Sequence, residues 1–303
     1  MKVINLLEPW ASLIKEKIKY IETRSWKTNY RGELYICASK RKLTNKDFIN
    51  YKEQIELLED SNFKYGYIIG KCNLVDCKYM NEKLISEVKK NHNEYISGDY
   101  KIGRYAWILE NIETLEIPIK VKGQLGLWNY YNENEIMNLM NNIDYGWIDK
   151  SGKQYKVVNE LFSDNYVLQS PKEIIKSKLG VCWDQVELER YYFNSMDLNI
   201  KTYFLCHYDN QKCPSHTFLI YENNSKVYWF EHSWEQYKGV HQYDTLKELL
   251  VDVRNKFIET ELNNNYDKKN LMLYEYDKPK YRISVKEFYK HCESNDNVNI
   301  DDL

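Results

Sequence analysis

Residues 215–234 read SHTFLIYENNSKVYWFEHSW, and the way this stretch folds back on itself decides the second half of the chain. Two runs rich in β-branched and aromatic residues flank Asn223 and Asn224, residues that tolerate the positive φ of tight hairpin turns. A loop symmetric about that pair sets Ile220 opposite Val227, Phe218 opposite Trp229 and His216 opposite Glu231. Side chains two apart on a strand share a face, so these six are predicted on one side of the hairpin. Four are apolar, and the stripe ends in an imidazole beside a carboxylate. Opposed Cβ atoms lie about 4.5–5.5 Å apart, close enough for the acid to accept from a ring N–H. Such a pair orients a catalytic histidine, and it equally serves as a satisfied polar contact at the edge of a core.

Working outward, residues 178–185 read KLGVCWDQ and run into VELERYYF, the start of an amphipathic helix. A helix beginning at Cys182 or just after it sets the thiol at the positive end of the helix dipole, which favours the thiolate. Gly180 permits a sharp turn just ahead of it. Alone, such a cysteine is an ordinary small apolar core side chain. With His216 and Glu231 it completes the nucleophile, base and orienting acid of a triad. Asp184 reads as a first-turn carboxylate that suits the helix start. His232 points to the face opposite Glu231, and His207 and His241 have no evident partner. The irregular spacing of Cys206, His207, Cys213 and His216 argues against a metal site.

Gly-Val-Cys-Trp opening a helix, then His-Thr-Phe on a strand, then an acid one hairpin later resembles the transglutaminase-like, papain-fold cysteine superfamily. The resemblance covers roughly residues 145–290 and implies a cysteine-bearing helix packed on an antiparallel sheet. It implies Cys182 as nucleophile, His216 as general base and then acid, and Glu231 as the orienting residue where the family usually has Asp. The implied substrate is a protein or peptide amide, and no metal or organic cofactor is required. The superfamily includes crosslinkers, peptidases, deamidases and inactive members, so it names a reaction class and no substrate.

The other half is read from residues 8–40, EPWASLIKEKIKYIETRSWKTNYRGELYICASK. The Lys-x-x-Glu-x-Arg core (Lys19, Glu22 and Arg24), with PWASLI before it and RGELYICASK after it, resembles the ASCH domain, a PUA-like β-barrel family linked to RNA. The match resumes at YIIGKCNLVDC, YAWILEN and VKGQLGLW and covers about residues 3–130; Lys17 stands where the family usually has glycine, and Cys37 where it usually has His. A cleft holding Lys19, Arg24 and Lys40 would take a phosphate of RNA or of a nucleotide. Glu22 would recognise a base edge or orient Lys19, and Trp10 and Trp26 would offer stacking faces. A structural Glu22–Arg24 ion pair with both tryptophans in the core is the other reading of the same residues. Some small ASCH proteins hydrolyse acylated cytidine nucleosides with a Lys–Thr pair. The matching threonine position is Glu22, which favours a binding module over a second enzyme.

Composition sets the frame. The chain has 303 residues, 43% hydrophobic and 29% charged, enough for two globular domains of ordinary size. No run approaches the roughly 18–20 apolar residues that cross a bilayer, and the N-terminus lacks the pattern of a secretory signal. Seven cysteines without regular spacing argue against a disulfide framework, so the expected setting is cytoplasmic, with free thiols. Residues 1–132 carry 22 basic against 17 acidic side chains (+5), whereas residues 133–303 carry 21 against 28 (−7). That asymmetry suggests different partners for the two halves. The expected architecture is α+β in two domains. A PUA-like β-barrel with flanking helices spans 1–132, an asparagine-rich linker 133–144, a transglutaminase-like domain 145–292 and a frayed acidic tail 293–303. The leading functional expectation is a thiol-dependent amide hydrolase or acyltransferase fused to an RNA-binding module. The alternatives are a non-catalytic RNA-binding protein with an inactive papain-like domain, and an ASCH-centred nucleoside amidohydrolase or ribonuclease.

Overall fold

The computed structural model describes residues 1–60, 62–209, 213–295 and 297–299. The chain divides into two compact units, one made of residues 1–130 with 195–197, the other of 131–194 with the residues from 198 onward. Of the tail expected to be frayed, residues 293–295 and 297–299 are described, and they are tied down: Glu293 closes a helix, Asn297 bridges to Tyr274, and the Val298 N–H donates to the Leu273 carbonyl. Among those described, no helix is long and apolar enough to cross a membrane.

The first unit is a six-stranded sheet of β1 (Lys2–Leu6), β2 (Ile21–Arg24), β3 (Gly32–Ala38), β4 (Tyr67–Tyr79), β5 (Tyr105–Lys120) and β6 (Leu127–Asn129), in the order β2-β5-β4-β3-β1-β6. Alternation in GELYICA sends Leu34, Ile36 and Ala38 into the core with Ile4, Leu6 and Trp107. The long β4–β5 pair shifts register three times along its length. Each irregularity adds twist, and together they curl the sheet into a half-barrel. Five short helices decorate it: α1 (Trp10–Lys15), α2 (Asn45–Asn50), α3 (Lys52–Glu56), α4 (Glu82–Val88) and α5 (His92–Ile96).

The second unit opens with α6 (Glu133–Met140), within the stretch read as a linker. Asn132 and Glu135 form a capping box there, and Ile136 and Met140 are fully buried, so this segment contributes to a core rather than merely joining two. Short strands β7 (Asp144–Tyr145), β8 (Trp147–Ile148) and β9 (Gln154–Tyr155) follow, then α7 (Phe162–Asn165), α8 (Pro171–Ser177) and β10 (Leu179–Gly180). Next come α9 (Cys182–Phe193), β11 (Asn199–His207), β12 (Ser215–Asn223), β13 (Lys226–Glu231), β14 (Gly239–Tyr243), α10 (Leu246–Thr260), β15 (Leu271–Glu275) and α11 (Val285–Glu293). The main sheet is antiparallel, in the order β14-β13-β12-β11-β15. Its two faces carry different helices: Phe218, Ile220 and Trp229 pack with Leu249, Val253 and Phe257 of α10, whereas Phe193 of α9 meets Tyr221 and Phe230.

The β12–β13 register differs from the sequence expectation by two residues. Asn223 pairs with Lys226 and Ile220 with Trp229, so the two-residue turn is Asn224–Ser225, both left-handed at φ 49° and 61°. The turn accepts a serine in this conformation where the sequence reading had centred it on the two asparagines. A slip of two preserves side-chain parity, so the apolar stripe keeps its face, but His216 and Glu231 meet diagonally instead of directly opposed.

Candidate functional site

In the second unit α9 presents Cys182 as its first residue. The helix is not amphipathic in the way its sequence suggested. Ten of its twelve residues are buried, including Asp184, Glu187 and Glu189. Gly180 has no left-handed backbone; it is needed because a Cβ there would come 2.9 Å from Cβ of Asp184. Asp184 accepts from the Val181 and Gln169 N–H groups at 3.1 and 2.8 Å and from the Tyr166 hydroxyl at 3.0 Å. Burial nevertheless pushes its carboxyl up to about 7. The helix start is thereby held by a side chain three residues inside it, leaving the N–H groups of its first turn without intrahelical acceptors.

His216 Nε2 lies 2.8 Å from Glu231 Oε2, and both side chains are buried. The other carboxylate oxygen accepts from Ser233 Oγ at 2.9 Å and from the Trp234 N–H at 2.8 Å. The Trp234 indole stacks on the imidazole at 3.9 Å between centroids and 15° between planes, so ring position and tilt are both fixed. The Cys182 thiol lies near enough to the same imidazole to act on its protonation. Because Glu231 occupies Nε2, Nδ1 is the ring nitrogen left for the thiol. Burial opposes a charge on His216, but the Glu231 carboxylate and Cys182 outweigh it and raise its pKa. Glu231 is likewise penalised by burial and held below its ordinary value by His216, with the Trp234 and Ser233 bonds adding to this.

The sequence reading missed several neighbours. His232, on the opposite face from Glu231, pairs its Nδ1 with Gln185 Oε1 at 2.6 Å, while Gln185 Nε2 donates to the Gly180 carbonyl at 2.9 Å. Burial, with Lys238 nearby, pushes His232 down to about 4, so it stays neutral and ties the strand end to the segment ahead of Cys182. Glu189 lies two helical turns from Cys182 on the same side of α9, and burial pushes its carboxyl well above the ordinary range. No periodicity marks Gln185 or Glu189, because charged and amide side chains on a helix are normally read as solvated. His241 donates to the Tyr237 carbonyl, and His207 accepts from the Asp267 N–H. Cys182 opens on a cleft of about 430 Å³ walled by Tyr145, Phe162, Trp183, Val285 and Tyr289. Among the described residues no group of three His, Cys, Asp or Glu side chains is placed to hold a metal.

The first unit carries a separate cleft of about 760 Å³, lined by Asn5, Trp10, Glu22, Arg24, Tyr51 and Arg104 among others. Arg24 Nε lies 3.0 Å from Glu22 Oε1, and its Nη2 donates to the Asn5 carbonyl at 3.2 Å. Trp10 meets Tyr51 edge-on at 4.7 Å. Three of the six residues assigned to this cleft from sequence are not on its wall. Lys19 is fully buried and donates to the Ile21 carbonyl at 2.5 Å, with Glu22 and Glu94 at 3.9 and 4.0 Å. Burial lowers its pKa against the pull of those two acids. Lys40 pairs with Asp197 at 2.7 Å, and Trp26 packs edge-on against Trp107 at 4.7 Å. Arg104, held by the Thr23 carbonyl at 3.2 Å and Asp99 at 3.4 Å, is the cleft cation that the sequence reading missed.

Residues 4–119 match the family described as the ASCH domain, so the curled sheet and its helices constitute an ASCH domain. Activating signal cointegrator 1 of Homo sapiens is 24% identical to this chain over 131 residues, covering 41% of this chain and 21% of that protein. Activating signal cointegrator 1 of Mus musculus gives the same figures. The chain thus spans about a fifth of the length of the curated relatives it matches. The family match lies within the first unit and carries nothing about the second.

Proposed function

We propose that the second unit performs thiol-dependent chemistry on amide bonds and that the ASCH domain binds single-stranded RNA or a nucleotide. One geometric relation supports the first half: a buried imidazole meets a carboxylate through Nε2, which leaves Nδ1 for the thiol of the helix-start cysteine beside it. In this reading His216 already holds the thiol proton, and Cys182 Sγ attacks the amide carbonyl as the thiolate. The tetrahedral oxyanion is met by first-turn N–H groups of α9, which point at the thiol end of the helix. His216 then protonates the leaving nitrogen, the C–N bond breaks, and the thioester passes to water or to an amine. Glu231 keeps the ring oriented and stabilises the imidazolium. The second half is supported by the cleft that brings Arg24, Arg104 and Glu22 beside Trp10, and by the match to the ASCH family. Lys19-based hydrolysis is less favoured, because that amine is buried and engaged.

The test is alkylation of the full-length protein with iodoacetamide at neutral pH, followed residue by residue by mass spectrometry. Cys182 is expected to react faster than the exposed Cys213, and His216→Ala to slow Cys182 by roughly 10²-fold. Equal rates at both cysteines in both proteins would leave a binding protein with an inert second unit.

A further inference from the structure

The cleft in front of Cys182 has an uneven chemistry. Its walls are aromatic and aliphatic, formed by Tyr145, Phe162, Trp183, Val285 and Tyr289. Among the described residues lining it, Glu261 is the one carboxylate, and there is no lysine or arginine. Glu261 is the residue at the C-terminal cap of α10, where the helix dipole is negative and a cation is the stabilising choice. No basic residue occupies the last turn of that helix. The carboxylate therefore adds to a negative potential instead of offsetting one. Its direction is set by Trp234, whose Nε1–H donates to Glu261 Oε1 at 2.9 Å, and the same indole stacks on His216. A carboxylate in the cleft is thus tied through one rigid ring to the base of the thiol site.

We propose that Glu261 selects substrates carrying a cationic side chain beside the amide that Cys182 attacks, a lysine- or arginine-bearing peptide. The inference rests on the thiol reading above and names its substrate class. The aliphatic stem of such a side chain packs on the aromatic wall while its charged end reaches the carboxylate.

Two peptidyl chloromethyl ketones that differ only in the side chain next to the warhead, lysine or norleucine, test this on the full-length protein. Cys182 displaces chloride as the thiolate in each case: the S–C bond forms, the C–Cl bond breaks, chloride leaves, and the thiol proton stays on His216. The second-order rate of modification at Cys182 is read by peptide mapping. The lysine reagent is expected to react about 10-fold faster than its norleucine match, equivalent to about 1.4 kcal/mol. Glu261→Gln should bring that ratio close to one, and Glu261→Lys should invert it. A ratio near one in the wild type, or an unchanged ratio in Glu261→Gln, overturns the inference while leaving the thiol reading intact. If neither reagent nor iodoacetamide modifies Cys182, the thiol reading falls and takes this inference with it.

Discussion

The His216–Glu231 pair is the residue-level feature with the clearest energetic consequence. Two charges are buried together, so removing one partner leaves the other uncompensated, typically at a cost of about 3–5 kcal/mol. The pH window follows from the direction of each shift. His216 has a raised folded pKa, so its contribution is complete below its unfolded value of 6.5 and is lost as pH rises through the folded value of about 10. Glu231 has a depressed pKa, so its contribution is complete above 4.5 and is lost as pH falls through the folded value. Urea unfolding of wild type and Glu231→Gln should therefore show the largest stability gap between pH 4.5 and 6.5, narrowing on both sides. A gap that is flat with pH would mean that the pair is not ionised in the folded protein. The identities of this pair were legible from strand parity alone. Gln185 and Glu189 were not, because only tertiary burial separates a solvated helix face from one turned inward.

At the scale of elements, the β12–β13 hairpin shows why part of a prediction survives an error in its premise. The turn was expected on Asn223 and Asn224, yet the chain places it one residue later, with Ser225 left-handed at φ 61°. Parity is insensitive to a shift of two, so the faces were right although each opposed partner was wrong. The α9 start was likewise readable from the Gly-x-Cys spacing. β14 and β15, which complete the sheet on either side, were not, since GVHQY and LMLYE are short and carry no turn signal of their own. Ser225 also offers a measurable strain. A left-handed non-glycine residue costs about 1–2 kcal/mol, of which glycine recovers part after its greater freedom in the unfolded chain is counted. Ser225→Gly is expected to stabilise the protein by about 0.5–1 kcal/mol in urea unfolding, and Ser225→Val to destabilise it by about 1–2 kcal/mol. A destabilised glycine variant would refute the two-residue left-handed turn.

Across the whole molecule, charge is divided between the two halves, +5 over residues 1–132 and −7 over the remainder. That imbalance was visible in the sequence, but its meaning was not, because most of the excess is not in the ASCH cleft. Lys19 is buried against Glu22 and Glu94, and Lys40 is paired with Asp197. The cleft itself offers two cations, Arg24 and Arg104, and the second comes from the residue just ahead of β5, far from the motif that identified the first. A ligand held there would owe more to stacking on Trp10 and to polar contact with Glu22 than to phosphate neutralisation. This separates recognition in the cleft from diffuse attraction to a basic surface. With two phosphates neutralised on a single strand, the logarithm of affinity should fall with the logarithm of salt at a slope of about −1.4. Fluorescence anisotropy of a short oligoribonucleotide with the full-length protein, repeated over a salt series, measures that slope. Arg24→Ala should weaken binding and make the slope shallower by about 0.7. A slope of about −4 or steeper, unmoved by Arg24→Ala, would assign the binding to surface lysines and remove the cleft from the account.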